Sequence, residues 1–257
     1  MEQQDSFSDF MTGISTPGMI KWEDMPTYNT IMALAAGVGL ILVAFFIYEL
    51  LQSVKNKKPV NTDSFALAFA VSGIIQFCTG LHMTLTWPLA KGGFAYDNII
   101  FGETTLPFGV LLLVAAFYLW KRGKGIGEAE NPLRAVAQSA KPVSIFIGAL
   151  GLELFAITMA GLIYRLYAAP VQEPISGFFS PYPWFEAIFL SILFFLAGLG
   201  AFLTPIAAFQ IASGKTETSG ISAIKTSMVC WTISGVAFML FGAMNFYTHI
   251  GFILNTI

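Results

Sequence analysis

Apolar residues in this chain gather into long runs, separated by short polar segments that carry most of its charges. A bilayer's hydrocarbon core is ~30 Å thick, so at 1.5 Å rise a spanning helix needs ~20 mainly apolar residues. Six runs meet that length, from Tyr28 to Leu51, Ser64 to Leu89, Asn98 to Trp120, Pro142 to Tyr167, Pro183 to Ile211 and Lys225 to Leu254. Trp87, Trp120, Tyr167, Tyr182, Trp184 and Tyr247 stand near their ends, where a half-wet ring is most stable. Because lipid offers no partner to an unpaired backbone amide, the pattern predicts an all-α bundle of six transmembrane helices.

Composition narrows the class further. Of 257 residues, 56% are hydrophobic and only 11% charged, against about 25% charged in soluble domains. A water-soluble enzyme is excluded. The net charge of −2 leaves no surface to grip a phosphate backbone, so nucleic acid is not a partner. Cys78 and Cys230 both lie inside apolar runs, which excludes a disulfide framework and a cysteine-rich zinc site. No serine elbow, His-Glu-x-x-His pair or genuine phosphate-binding loop is present, and Lys121 to Gly127 reads as a basic connector.

Lys and Arg fall unevenly on the two sides of the six runs. Ten lie on one side (Lys55, Lys57, Lys58, Lys121, Arg122, Lys124, Arg134, Lys141, Lys215 and Lys225) and three on the other (Lys21, Lys91 and Arg165). The positive-inside rule then predicts a multi-pass cell-membrane protein with both termini extracytoplasmic. The acidic N-terminus lacks the pattern of a signal peptide. Residues 1–27 form a leader ahead of the transmembrane domain at 28–257, and Phe7, Phe10, Met11 and Ile14 recur there at the spacing of a short interfacial helix.

Two stretches echo one another. Gly80-Leu81-His82, Trp87-Pro88 and Phe101-Gly102-Glu103 are answered by Met159 to Gly161, Ala169-Pro170 and Trp184-Phe185-Glu186. Such an echo suggests parallel helical hairpins related by an axis along the membrane normal. Ser72-Gly73 before Gly80 likewise matches Ser234-Gly235 before Gly242. The stretch that carries Gly80-Leu81-His82, Thr86-Trp87-Pro88 and Phe101-Gly102-Glu103 resembles a prokaryotic integral-membrane family of archaea and bacteria whose function is unknown. The resemblance implies a membrane location and brings no site residues with it.

Ionisable groups inside a bilayer cost ~2.5–3.5 kcal/mol each on the insertion scale, so they normally face the bundle interior and serve a function. His82, Glu103, Glu186 and His249 are all predicted within ~5–10 Å of the outer interface. Two imidazoles and two carboxylates at one level could ligate haem b through His82 and His249, or hold one divalent transition metal. They could equally exchange protons and electrons with quinol. The leading expectation is a membrane redox or electron-transfer subunit, an oxidoreductase component with this outer-leaflet site. The alternatives are a cofactor-free structural or accessory subunit of a larger complex, with other membrane subunits or further copies of itself as partners, and a small transporter. Pro107 is expected to loosen the third helix beneath Glu103. Glu153, about halfway along the fourth helix, reads as a helix-packing carboxyl, with no second acid expected at its depth.

Overall fold

The structure is a computed structural model that describes residues 7–91, 94–214 and 217–257. Seven α-helices occur among them: α1 (Phe7–Thr12), α2 (Asn29–Asn56), α3 (Thr62–Leu85), α4 (Thr104–Gly127), α5 (Pro132–Ile163), α6 (Pro183–Ser213) and α7 (Glu217–Thr256). The last six are long and apolar enough to cross a membrane, and no strand occurs among the described residues. The chain runs up and down, so the ends of α2, α4 and α6 share one basic end of the bundle with the starts of α3, α5 and α7. Both described termini lie at the opposite end.

Element boundaries differ from the apolar runs in an instructive way. The segment from Lys121 to Lys141 reads as a cytoplasmic connector of about twenty residues; instead α4 continues to Gly127 and α5 begins at Pro132. Asn131 caps α5 by accepting a hydrogen bond from the Arg134 amide at 3.0 Å, with Pro132 in the first turn. An Asn-Pro pair is a strong helix start, and it outweighs the drop in hydropathy that ended the run. Lys225 similarly lies on α7, while Lys215, counted in the charge asymmetry, lies outside the described residues.

Three antiparallel pairs build the bundle, α3 with α4, α5 with α6, and α2 with α7, and α6 also packs on α7. Each pair closes where glycines let two backbones meet. A Cβ on Gly151 would stand 2.7 Å from the Gly198 carbonyl oxygen, one on Gly235 2.9 Å from the Gly37 carbonyl oxygen, and one on Gly73 3.1 Å from that of Gly109. The Ser72-Gly73 and Ser234-Gly235 echo therefore marks real helix contacts of the small-residue kind. In the middle of the bundle Ser72 Oγ and Gln76 Nε2 both donate to the Ala35 carbonyl, at 3.0 and 3.2 Å, and tie α3 to α2.

One contact between sequence neighbours stays sparse, that of α4 with α5. Their connection is only the four residues 128–131, yet the helices splay apart above it.

The leader folds back onto the terminal end. Ile14 N donates to Val171 O at 3.1 Å, Ile175 N to Phe10 O at 2.7 Å, and Thr16 N to Asn255 O at 2.7 Å. Trp22 Nε1 donates to Thr256 Oγ1 at 3.0 Å. Residues 7–24 thus cover the connection between α5 and α6 and the last turn of α7; the first six residues of the leader lie outside the described residues.

Candidate functional site

Each of the four ionisable residues singled out in the sequence stands in the first or last two turns of its helix at the terminal end. They do not share one centre. His82 is exposed, and its Nδ1 pairs with the Tyr28 hydroxyl at 2.7 Å, joining α3 to the start of α2. Glu103 is exposed at the end of a π-helical turn, Asn98–Glu103, that leads into α4. Pro107 accounts for that irregular turn, because it has no amide to donate to the Glu103 carbonyl four residues earlier. Glu186 Oε2 accepts from the Ala169 amide at 2.5 Å. His249 Nε2 stands 3.8 Å from Oε1 of Glu173.

The packing explains the separation. α3 packs on α4 and α2, whereas α6 and α7 pack on each other, so His82 and Glu103 belong to one pair of helices and Glu186 and His249 to another. Among the described residues no group of three or more His, Cys, Asp or Glu side chains could hold a metal ion. Cys78 is exposed and Cys230 buried, and both are free thiols.

Glu173 was not singled out in the sequence, because it lies in a connection rather than a span. It is 8% exposed, Thr248 Oγ1 donates to it at 2.8 Å, and Glu186 lies within electrostatic range. Burial pushes its carboxyl up to about 7, against the smaller opposing effect of hydrogen bonds from Thr248 and Ser176. Burial likewise raises Asp97 to about 7, and burial together with Asp97 raises the Tyr96 phenol to about 12. Arg165 lies over the Trp184 ring at 6.0 Å from its centre, a cation–π contact at the interface.

The main concavity of the bundle lies elsewhere, behind the α4–α5 seam. It is a cavity of about 550 Å³ whose walls come from α2, α4, α5, α6 and α7, with Phe69 of α3. Alanines on several helices, among them Ala36, Ala115, Ala140 and Ala201, leave the space open. On α2 the lining runs from Met32 to Leu50, a rise of about 27 Å, close to the thickness of a hydrocarbon core. Val114 and Val143 line the cavity and are also exposed, so it opens sideways between α4 and α5. A hydrogen bond crosses that opening, from Tyr118 OH to Ser139 Oγ at 2.6 Å, and both residues are lining residues.

Its polar content is small, and its carboxylate sits at one end, while Tyr118, Ser139 and Thr204 line it further down. Thr104, Thr105 and Glu153 lie toward the terminal end, and no Lys, Arg or His lines the space among the described residues. On α5 the lining extends from Leu133 to Leu154, so Glu153 stands at the top of the slot, about 15 Å below the end of α5 at Ile163. Glu103 lies within electrostatic range of it. A second acid therefore does stand within electrostatic range of Glu153, contrary to the expectation from its depth.

The match to a family model describing a protein of unknown function, DUF981, covers residues 25–251, and the chain belongs to that family. No curated protein and no solved structure matches it.

Proposed function

We propose that this protein is a multi-pass membrane protein that takes a bilayer-resident apolar ligand into the cavity behind α4 and α5. The observation that carries the reading is the lateral opening itself. A cavity lined almost wholly by carbon and open to the side at Val114 and Val143 offers no path or partner to a water-soluble substrate, while a lipid-dissolved one reaches it without leaving the membrane. The excess of Lys and Arg at the basic end supports placing that end in the cytoplasm and both termini outside.

The redox expectation continues within this proposal in one form. A quinol is a lipid-soluble molecule with a long apolar tail, and the cavity supplies the apolar walls such a molecule needs. Glu153, rather than His82 or His249, would then be the residue beside its head.

Trp231 is the one tryptophan that lines the cavity. A variant with Trp22, Trp87, Trp120 and Trp184 changed to Phe reports on the cavity alone. Brominated alkyl chains added to the reconstituted protein are expected to quench Trp231, and Ala140→Phe combined with Val143→Phe, which block the opening without adding a second tryptophan, should abolish most of that quenching. Equal quenching in the open and blocked proteins would overturn the proposal, since the bromines would then reach Trp231 from the surrounding lipid.

A further inference from the structure

The cavity proposed above as a ligand site has a shape and a polarity that together describe its occupant. Its volume is about 550 Å³; at about 30 Å³ for a group the size of a water, that is room for about 18 small groups. They would be strung along about 27 Å of slot. One extended hydrocarbon chain fits those dimensions. A tail of that reach exceeds the ~15 Å available in one leaflet, so the slot suits a chain that is otherwise hard to accommodate in a single monolayer.

The head is specified by Glu153. It is the carboxylate at the top of the slot, the Tyr118 and Ser139 hydroxyls further down are paired with each other, Glu103 lies in electrostatic range, and no cation lines the space among the described residues. A carboxylate or phosphate head would place a further negative charge beside Glu153, with Glu103 in electrostatic range and no cation among the described lining residues to neutralise it. An ammonium head would require Glu153 to be ionised and a desolvated ion pair to form. A hydroxyl meets the site in either of its states, donating to a carboxylate or accepting from a carboxylic acid. It also costs least to bring below the interface.

We infer that the ligand is a single-tailed, long-chain alcohol, with quinols included in that class, whose hydroxyl rests on Glu153 and whose tail runs toward the basic end of the bundle. This assignment depends on the cavity being a ligand site, and its test separates the two claims.

The probes are dibrominated octadecanol, octadecanoic acid, octadecylamine and octadecyl phosphate, each added to the Trp231-only protein in bilayers. The alcohol is expected to quench at about a tenth of the concentration needed for the acid or the phosphate, or less. Glu153→Leu should retain tail quenching but lose the preference for the alcohol, whereas Glu153→Gln, whose amide still accepts and donates, should keep much of it. Quenching by all four chains alike, a preference for the amine or an anion, or an unchanged preference in Glu153→Leu would each overturn the assignment while leaving the cavity as a site for apolar chains. Failure of every chain to quench would instead remove the cavity reading and the assignment with it.

Discussion

Helix α5 meets its two neighbours in sequence, α4 and α6, in opposite ways. Against α6 it closes tightly, with Gly151 over Gly198, Gly148 over Pro205 and Gly161 over Ser191, and Phe155 in tilted ring contact with Phe195 and Phe202. Against α4 it barely touches, and alanines and valines face a gap crossed by the Tyr118–Ser139 hydrogen bond. Lipid tails are as apolar as leucine, so helices adhere in a bilayer only where small residues permit close backbone contact or polar groups pair. The α5–α6 interface has the first, while the α4–α5 seam has little of either. One side of the same helix is thus fixed wall and the other a place where a chain of lipid-like material can stand in for a missing neighbour.

The largest effect is expected from breaking the closed side. A Cβ at Gly151 would lie 2.6 Å from the Phe202 amide nitrogen and 2.7 Å from the Gly198 carbonyl oxygen, and backbone atoms cannot move aside as side chains do. Gly151→Leu should therefore destabilise the bundle by on the order of 3 kcal/mol or more, seen as a drop in monodisperse yield and in thermal midpoint in detergent. A leucine at Ala140, facing the seam, should be tolerated. If both substitutions behave alike, the contrast between the two sides of α5 does not hold.

The closed side extends into its connection. Residues 164–182 join α5 to α6 and bury Glu173 among Thr248, Ser176 and His249, with Glu186 in electrostatic range. Glu173 keeps its proton to about pH 7 in the folded protein, against 4.5 as its ordinary value. Between those two values the unfolded chain releases the proton first. Stability should accordingly fall as pH rises from about 4.5 to about 7 and then level off, by a few kcal/mol across the window. Glu173→Gln should flatten that slope, as followed by thermal unfolding at closely spaced pH. A slope of the same size in the variant would assign it to other carboxyls, Asp97 first among them.

These differences also show what the sequence could and could not reveal. Six spans were legible because length and hydropathy are one-dimensional properties, and the glycine pairs could be anticipated from repeated spacings such as Ser72-Gly73 and Ser234-Gly235. The seam was not legible, since all six helices are apolar on every side and a residue facing a cavity, such as Ala115, looks like one facing lipid. Grouping His82, Glu103, Glu186 and His249 placed them correctly at one end of the bundle. Depth alone, however, cannot say which helices touch, and the helix pairing separates them. Glu153 stood in plain view as a mid-membrane acid. The missing element was Glu103 within electrostatic range of it, which required knowledge of how α4 and α5 sit together. The start of α5 at Asn131-Pro132 was available from the sequence as a capping signal and was masked by giving hydropathy the greater weight.

The smallest expected effect concerns the Tyr118–Ser139 bond across the seam. Tyr118 and Ser139 stand near the basic end of the cavity, and a hydrogen bond between membrane helices contributes on average about 0.6 kcal/mol. Tyr118→Phe should leave the thermal midpoint nearly unchanged, because the closed interfaces carry the fold. It should instead act on exchange: with the bond removed, α4 and α5 separate more often at that level, and a brominated chain should reach Trp231 faster while its equilibrium quenching changes little. Stopped-flow fluorescence separates rate from extent. A variant that changes the midpoint as much as Glu173→Gln would mean that the α4–α5 contact is structural after all, whereas an accelerated approach at constant stability would identify the seam as the moving part of an otherwise rigid bundle.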